Sequence, residues 1–332
     1  MSTSQGERRL GRSELRVGAL GLGCWALGGA MAAAEQPLGY GGVDDAEAIR
    51  AAHRGIELGV TLLDTADAYG AGHSERLLAG VLAEHPDVLV ATKFGNTFDE
   101  TTRQLTGVDT TPGYVRDAVR ASLRRLGRDR IDLYQLHTPD VPPERAAELV
   151  GTLEELVTEG LIAWYGVSTD TPEHARAIAA GPHCTAVQLE LNVLDDNTAM
   201  LDLCDELDLA ALCRSPLAMG LLGGRYTAAS RIAVSDIRGT PPEWLRWFAG
   251  GRPHPDYLER LATIRELLTT GGRTLAQGAL AWIWARHERA VPLPGFRDSG
   301  QVEDNAGALR QGALDPAAMA AIGDALGRTV TV

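Results

Sequence analysis

Four residues able to hold or move a proton fall at the ends of short apolar runs. Asp64 closes residues 61–64, Lys93 closes residues 88–93 and His137 follows residues 131–136. Tyr69 lies five residues beyond Asp64, in the next loop. A tyrosine hydroxyl titrates near pKa ~10, too weak an acid alone at neutral pH. A lysine ammonium beside it stabilises the phenolate and lowers that value. An aspartate can keep the lysine charged, and a histidine can hydrogen-bond a substrate oxygen and orient it. Such a set donates a proton to a carbonyl oxygen as hydride arrives at carbon, or works in reverse. No side chain supplies hydride, so a cofactor must.

Lys93 is the only lysine in the chain; the other 30 of the 31 basic residues are arginine. Arginine stays protonated and presents a planar fork, whereas lysine is a compact charge whose pKa shifts on burial. One retained lysine at the end of an apolar strand implies a position that needs an ammonium. Each residue also has a plain structural reading. Asp64 could cap a helix, Tyr69 could be a loop aromatic, Lys93 a surface survivor and His137 a satisfied strand-end histidine. Their recurrence at successive strand ends is what points to a joint site.

The elements that must position them alternate. Short apolar strands are expected at residues 19–23, 61–64, 88–91, 131–136, 163–168, 186–190, 209–213 and 290–293. Amphipathic stretches of helix length lie between them, among them 44–58, 74–84, 112–126, 143–160 and 172–180. Apolar strands without polar alternation suit a parallel sheet buried on both faces. Eight strand–helix units predict an α/β fold, a (β/α)8 TIM barrel spanning residues 1–332 as one domain. Residues 8–17 read as an N-terminal hairpin turning at Gly11-Arg12-Ser13, and residues 315–326 and 328–332 as an extra helix and a tail. Thr111-Pro112 and Thr171-Pro172 read as helix N-caps followed by Pro at the first helical position. The polar or Gly/Pro-rich loops 96–110 and 227–255 fall on the C-terminal rim, where substrate contacts concentrate.

The whole chain sets outer bounds. It has 332 residues, 45% of them hydrophobic and 23% charged, with a net charge of −13. That charge argues against nucleic acid and anionic membranes as partners. The four cysteines show no paired spacing, and the histidines no ligand spacing, so neither disulfide nor metal is expected. The N-terminus lacks the apolar core of a signal peptide, and a cytoplasmic location is expected. Residues 17–34 are uncharged but rich in Gly and Ala, which suits a strand and loop better than a membrane span.

At this point the chain resembles the aldo-keto reductases. Residues 62–75 (Leu-Leu-Asp-Thr-Ala-Asp-Ala-Tyr-Gly-Ala-Gly-His-Ser-Glu) resemble the family's Asp-Thr-Ala…Tyr-Gly…Ser-Glu block. Residues 90–95 resemble its lysine strand, residues 122–137 its most specific signature and residues 20–25 its first strand. The resemblance implies a catalytic tetrad of Asp64, Tyr69, Lys93 and His137, with Tyr69 as general acid/base. It implies NADP(H), in preference to NAD(H), on the barrel rim; the spacing of Gly21, Gly23 and Gly28 is not that of a Rossmann loop. Ser168 and Gln188 would hold the nicotinamide carboxamide. Ser215, Pro216, Leu217 and Gly220 would lie along the pyrophosphate. Arg297, after Gly295 and Phe296, would reach the 2′-phosphate. Gln301, Asp304 and Asn305 would surround the adenine. Gly23, Cys24 and Trp25 also belong to the implied cofactor surface, and Trp25, Tyr69 and His137 to the substrate pocket.

Departures from the family pattern are Thr169 for a common Asn, Leu191 for a frequent Tyr, Arg214 for a stacking aromatic and Phe296 at a usually small position. Trp244, Trp247 and Phe248 are expected around the substrate. The implied function is an NADP(H)-dependent oxidoreductase acting on a small carbonyl or alcohol substrate such as an aldehyde, ketone or sugar. The alternative is a cofactor-binding regulatory barrel with little turnover.

Overall fold

The computed structural model describes residues 6–138 and 141–328. Residues 329–332 of the expected tail lie outside them. Eight parallel strands form one sheet in chain order: β1 (Leu22–Gly23), β2 (Leu62–Asp64), β3 (Leu89–Phe94), β4 (Ile131–Leu136), β5 (Ile162–Ser168), β6 (Cys184–Glu190), β7 (Ala210–Arg214) and β8 (Val291–Pro292). The sheet closes on itself. The N–H groups of Gly21 and Gly23 donate to the carbonyls of Pro292 and Pro294, and Gly23 bridges Gly295 in parallel. Closure leaves no strand edge unpaired.

Helices α1 (Asp45–Glu57), α2 (His73–Glu84), α3 (Pro112–Leu126), α4 (Pro143–Thr158), α5 (Pro172–Ala179) and α6 (Thr198–Glu206) follow the first six strands. Helices α7 (Pro255–Leu268) and α8 (Leu275–Arg286) lie between β7 and β8, and α9 (Ser299–Gln311) and α10 (Pro316–Ala325) follow β8. Helix α9 packs on α1 and so joins the two ends of the ring.

Local chemistry sets the helix starts. The Asp44 carboxylate accepts from Glu47 N–H at 3.0 Å, and Thr274 and Gln277 form a reciprocal capping box. Thr111 caps α3 as expected. Thr171 does not cap α5 with its side chain; its N–H instead donates to Thr169 Oγ1 at 3.1 Å, within the tight turn leaving β5.

The N-terminal hairpin pairs Arg8 with Val17 and Arg9 with Arg16. Leu10 and Val17 plug the bottom of the barrel against Leu62, Leu133, Leu212 and Val291. Gly11 turns the hairpin at φ +50, where an added Cβ would sit 2.1 Å from the Thr185 carbonyl oxygen. Only glycine fits that approach.

The rim departs from expectation in two places. Residues 96–110, expected as a loop, contain an antiparallel pair, Asn96–Asp99 with Gln104–Val108. Its turn is set by Asp99 Oδ1, which accepts from the N–H groups of Thr101 and Thr102 at 2.8 and 2.7 Å. The pair joins Ala32–Ala33 and Gln36–Pro37 in a small rim sheet. Within 227–255, Phe248–Ala249 pairs with Arg252–Pro253 around Gly250 and Gly251, both at positive φ.

Leu10→Ala should remove the barrel's plug without touching the rim. Truncating a fully buried leucine costs about 3 kcal/mol, read as a lower urea midpoint at unchanged slope. A midpoint equal to that of the wild type would show that the hairpin does not close the core.

Candidate active site

Lys93 lies in β3 with no exposed surface. Its Nζ donates to Asp64 Oδ2 at 2.7 Å, to the Thr65 carbonyl at 2.8 Å and to the Tyr69 phenolic oxygen at 3.2 Å. Three donors meet three acceptors, so the buried ammonium is fully satisfied. Strand register brings the groups together. Asp64 of β2 stands beside Ala91, two residues before Lys93, and Gln135 of β4 stands beside Lys93 itself.

Tyr69 arrives from the tight turn after β2. That turn presses on Gly28: a Cβ at Gly70, φ +62, would lie 1.9 Å from the Gly28 carbonyl oxygen. His137 leaves β4 with its N–H on the Phe94 carbonyl, and its ring meets Tyr69 edge-on at 5.6 Å. Trp25 stacks on Tyr69 at 5.9 Å, its indole N–H fixed by the Leu38 carbonyl. All four tetrad residues converge.

Burial dominates the electrostatics. It acts against the Lys93 ammonium, but Asp64 and Tyr69 outweigh it and hold the lysine above its ordinary pKa. Burial pushes the Tyr69 phenol up; Lys93 pulls it back and Asp64 pushes again, leaving it raised. This corrects the expectation of a lowered value. One ammonium already compensated by Asp64 does not offset loss of water around a phenolate. His137 is held down at about 3, first by burial and then by the charges of Lys93 and Arg214, so its imidazole is neutral.

The site opens into a cavity of about 910 Å³ across the C-terminal rim. Tyr69, His137, Asp64 and Trp25 line it, with Asn96, Leu105 and Trp244. Ser168, Thr169, Gln188 and Arg214, at or just beyond the ends of β5, β6 and β7, also line it, as do Ser215, Pro216, Leu217 and Gly220 after β7. Gly295, Phe296, Arg297, Gln301, Asp304 and Asn305, which follow β8, and Gly23 of β1 line it as well. Cys24 does not reach it: its thiol is buried behind the rim, with Sγ on the Leu22 carbonyl. The ring of Phe296 is 1% exposed and packs into the core. Trp247 and Phe248 are likewise packing residues, not pocket walls; Trp247 is tied to Asp195 Oδ2 at 2.6 Å.

Several assigned residues carry bonds that the sequence did not disclose. Arg214 is held by Asp170 and Glu190, and Glu190 also takes Arg246. Arg297 donates to the carbonyls of Tyr40 and Gly42. Asp304 accepts from Thr274 and Gln277. Gln188 donates to Asp64 Oδ1 at 2.8 Å.

A sequence model described as the Aldo/keto reductase family matches residues 19–326. The chain belongs to that family. A probable aldo-keto reductase 1 from Glycine max is 32% identical over 310 residues, 91% of this chain and 83% of that protein. The glycerol dehydrogenase AKR11B4 from Gluconobacter oxydans superposes with a TM-score of 0.81 at 28% identity, over 99% of this chain and 98% of that one. An aldo-keto reductase from Klebsiella pneumoniae in complex with NADPH superposes with a TM-score of 0.69 at 25% identity, over 98% and 96%. The (β/α)8 barrel of this aldo-keto reductase is thus the family fold.

Two site residues escaped sequence reasoning. Gln135 donates to Asp64 Oδ1 at 3.1 Å; its signal was an amide inside a buried strand, two residues before His137. Arg238 is 4% exposed and lines the cavity, doubly paired with Asp236 and 4.8 Å over the Tyr40 ring. Nothing in its surroundings in the sequence marks it.

The neutral His137 makes stability depend on pH. Between about 3 and the unfolded value near ~6.5, the unfolded chain binds a proton that the folded site excludes. The contribution is full above that window and is lost as pH falls through it. In urea titrations from pH 7 to pH 4, His137→Asn should therefore lose less stability than the wild type; parallel losses would show that the ring accepts its proton in place.

Proposed function

We propose that this aldo-keto reductase is an NADP(H)-dependent oxidoreductase interconverting a small carbonyl compound and its alcohol, with Tyr69 as general acid/base. The observation that carries the reading is the contact of Lys93 Nζ with both Asp64 Oδ2 and the Tyr69 hydroxyl, two residues that line an open cavity. The names of relatives agree: one curated relative from Schizosaccharomyces pombe is an aldo-keto reductase yakc [NADP(+)], and the Klebsiella pneumoniae structure holds NADPH.

The cavity fits a dinucleotide in its donor set. Asn305 lines the cavity, and its Nδ2 is buried with no protein partner among the described residues, a donor that an adenine acceptor would satisfy. Ser168 and Gln188 would hold the carboxamide. Ser215 to Leu217 and Gly220 would flank the pyrophosphate, and Arg297 would meet the 2′-phosphate. Bound there, the nicotinamide supplies or accepts hydride.

The chain's own part is proton movement. The raised Tyr69 phenol is protonated at neutral pH and so can give its proton to a carbonyl oxygen. The Lys93 ammonium, 3.2 Å away, stabilises the phenolate left behind. Neutral His137, edge-on to Tyr69, orients the same oxygen by a hydrogen bond. In alcohol oxidation the phenolate takes the proton back. Asp64 keeps Lys93 charged throughout, and Trp25, Trp244 and Leu105 wall the substrate end.

Two variants test this against a panel of aldehydes, ketones and sugars. Tyr69→Phe should reduce turnover by at least about 100-fold, the lower bound of what general acid/base catalysis contributes, while NADPH affinity stays unchanged. Full activity would remove Tyr69 from its role; tight NADPH binding by an inactive wild type would favour a regulatory barrel. Arg297→Ala should weaken NADPH binding about tenfold and leave NADH binding unchanged, as for loss of one charge-assisted contact. Equal affinities for the two cofactors in the wild type would refute that assignment.

A further inference from the structure

The tetrad accounts for only one oxygen of Asp64. Oδ2 takes Lys93, while Oδ1 takes two amide nitrogens, Gln135 Nε2 at 3.1 Å and Gln188 Nε2 at 2.8 Å. The two amides also touch, Gln188 Nε2 lying 3.4 Å from Gln135 Oε1. Gln135 is fully buried and is not among the residues lining the cavity, so it meets neither substrate nor cofactor there. An amide at the centre of a barrel costs desolvation that a leucine would not. We propose that Gln135 is a positioning residue: with Gln188 it pins the Asp64 carboxylate so that Lys93 faces Tyr69.

The inference rests on the function proposed above. A carboxylate offers about four lone-pair sites. With Oδ1 held by Gln188 alone, it is freer to rotate, present both oxygens to Lys93 and draw Nζ off Tyr69, already the longest of the three lysine contacts. The amide dipoles also offset part of the Asp64 charge, which opposes ionisation of Tyr69. The other titratable or charged groups facing this pair are Lys93 from β3, His137 after β4, Arg214 from β7, and Cys24 and Tyr40 after β1. None of them is hydrogen-bonded to Asp64 Oδ1 among the described residues.

The test uses the full chain as Gln135→Met, which keeps the volume, and Gln135→Glu, which keeps the shape. NADPH binding and thermal unfolding establish that both fold. In Gln135→Met, kcat should fall about tenfold, the size of one charge-assisted hydrogen bond, with NADPH affinity unchanged. The limb of alcohol oxidation that needs the Tyr69 phenolate should move to higher pH. In Gln135→Glu the new carboxyl must share a proton with Asp64, so activity should survive at low pH and disappear as pH rises. Unchanged kcat, or an equal loss in both variants on the wild-type pH profile, overturns the positioning role. Tyr69→Phe run alongside separates the two claims. If it is inactive while the Gln135 variants behave as wild type, only the positioning role falls; if it is fully active, both fall.

Discussion

A lysine ammonium with no exposed surface is the constraint around which this barrel is arranged. Removing one partner of such a pair typically costs about 3–5 kcal/mol, because a charge is left buried without compensation. Asp64, the Thr65 carbonyl and Tyr69 supply that compensation, the first from the end of β2 and the other two from the turn that follows it. The turn must therefore be rigid. Its glycine contact at Gly28 and Gly70 and the buried Thr92–Glu75–Arg125 chain beneath it both serve that end. The ion pair that satisfies Lys93 is the same arrangement that places a charge against the Tyr69 hydroxyl.

A second layer covers the rim. Segment 236–240 reaches across to the loop after β1: Ile237 N–H donates to the Gly39 carbonyl at 2.8 Å, and Gln36 Nε2 to the Thr240 carbonyl at 2.7 Å. Arg238 packs over Tyr40 from one side, and Arg297 takes the carbonyls of Tyr40 and Gly42 from the other. Further along, Asp195 receives Trp247 and Tyr257, which fastens the segment that carries Trp244 over Trp25. The 227–255 insertion is thus held by the loop after β1 and by Asp195 in the loop after β6, although its Gly- and Pro-rich sequence lacks any periodic pattern.

The charges near the site follow the same rule of local compensation. Arg214 and Arg246 are balanced by Asp170 and Glu190. Burial raises Glu190, and the two arginines draw it back toward the ionised form. The guanidinium of Arg214, noted from the sequence as a departure from the family's stacking aromatic, is held by a carboxylate pair at or just beyond the ends of β5 and β6.

The sequence by itself determined the barrel, the order of its strands and the strand ends that bring Asp64, Tyr69, Lys93 and His137 together. Apolar runs of strand length alternating with capped amphipathic stretches have few other solutions. In a parallel barrel every strand end points to one rim, so Asp64, Lys93 and His137 had to approach one another. The sequence also revealed the lysine, because one ammonium among thirty arginines is visible without coordinates. Only the tertiary structure decided the net electrostatics of Tyr69, since desolvation depends on how completely the surrounding loops exclude water. It alone placed Gln135 and Gln188 on Asp64 Oδ1 and kept Cys24 out of the cavity. It also turned residues 96–108 into a hairpin and set Arg238 against Tyr40. Those outcomes depend on register and on contacts between residues distant in the chain. Backbone periodicity fixes where a strand ends, but not which side chains meet beyond it.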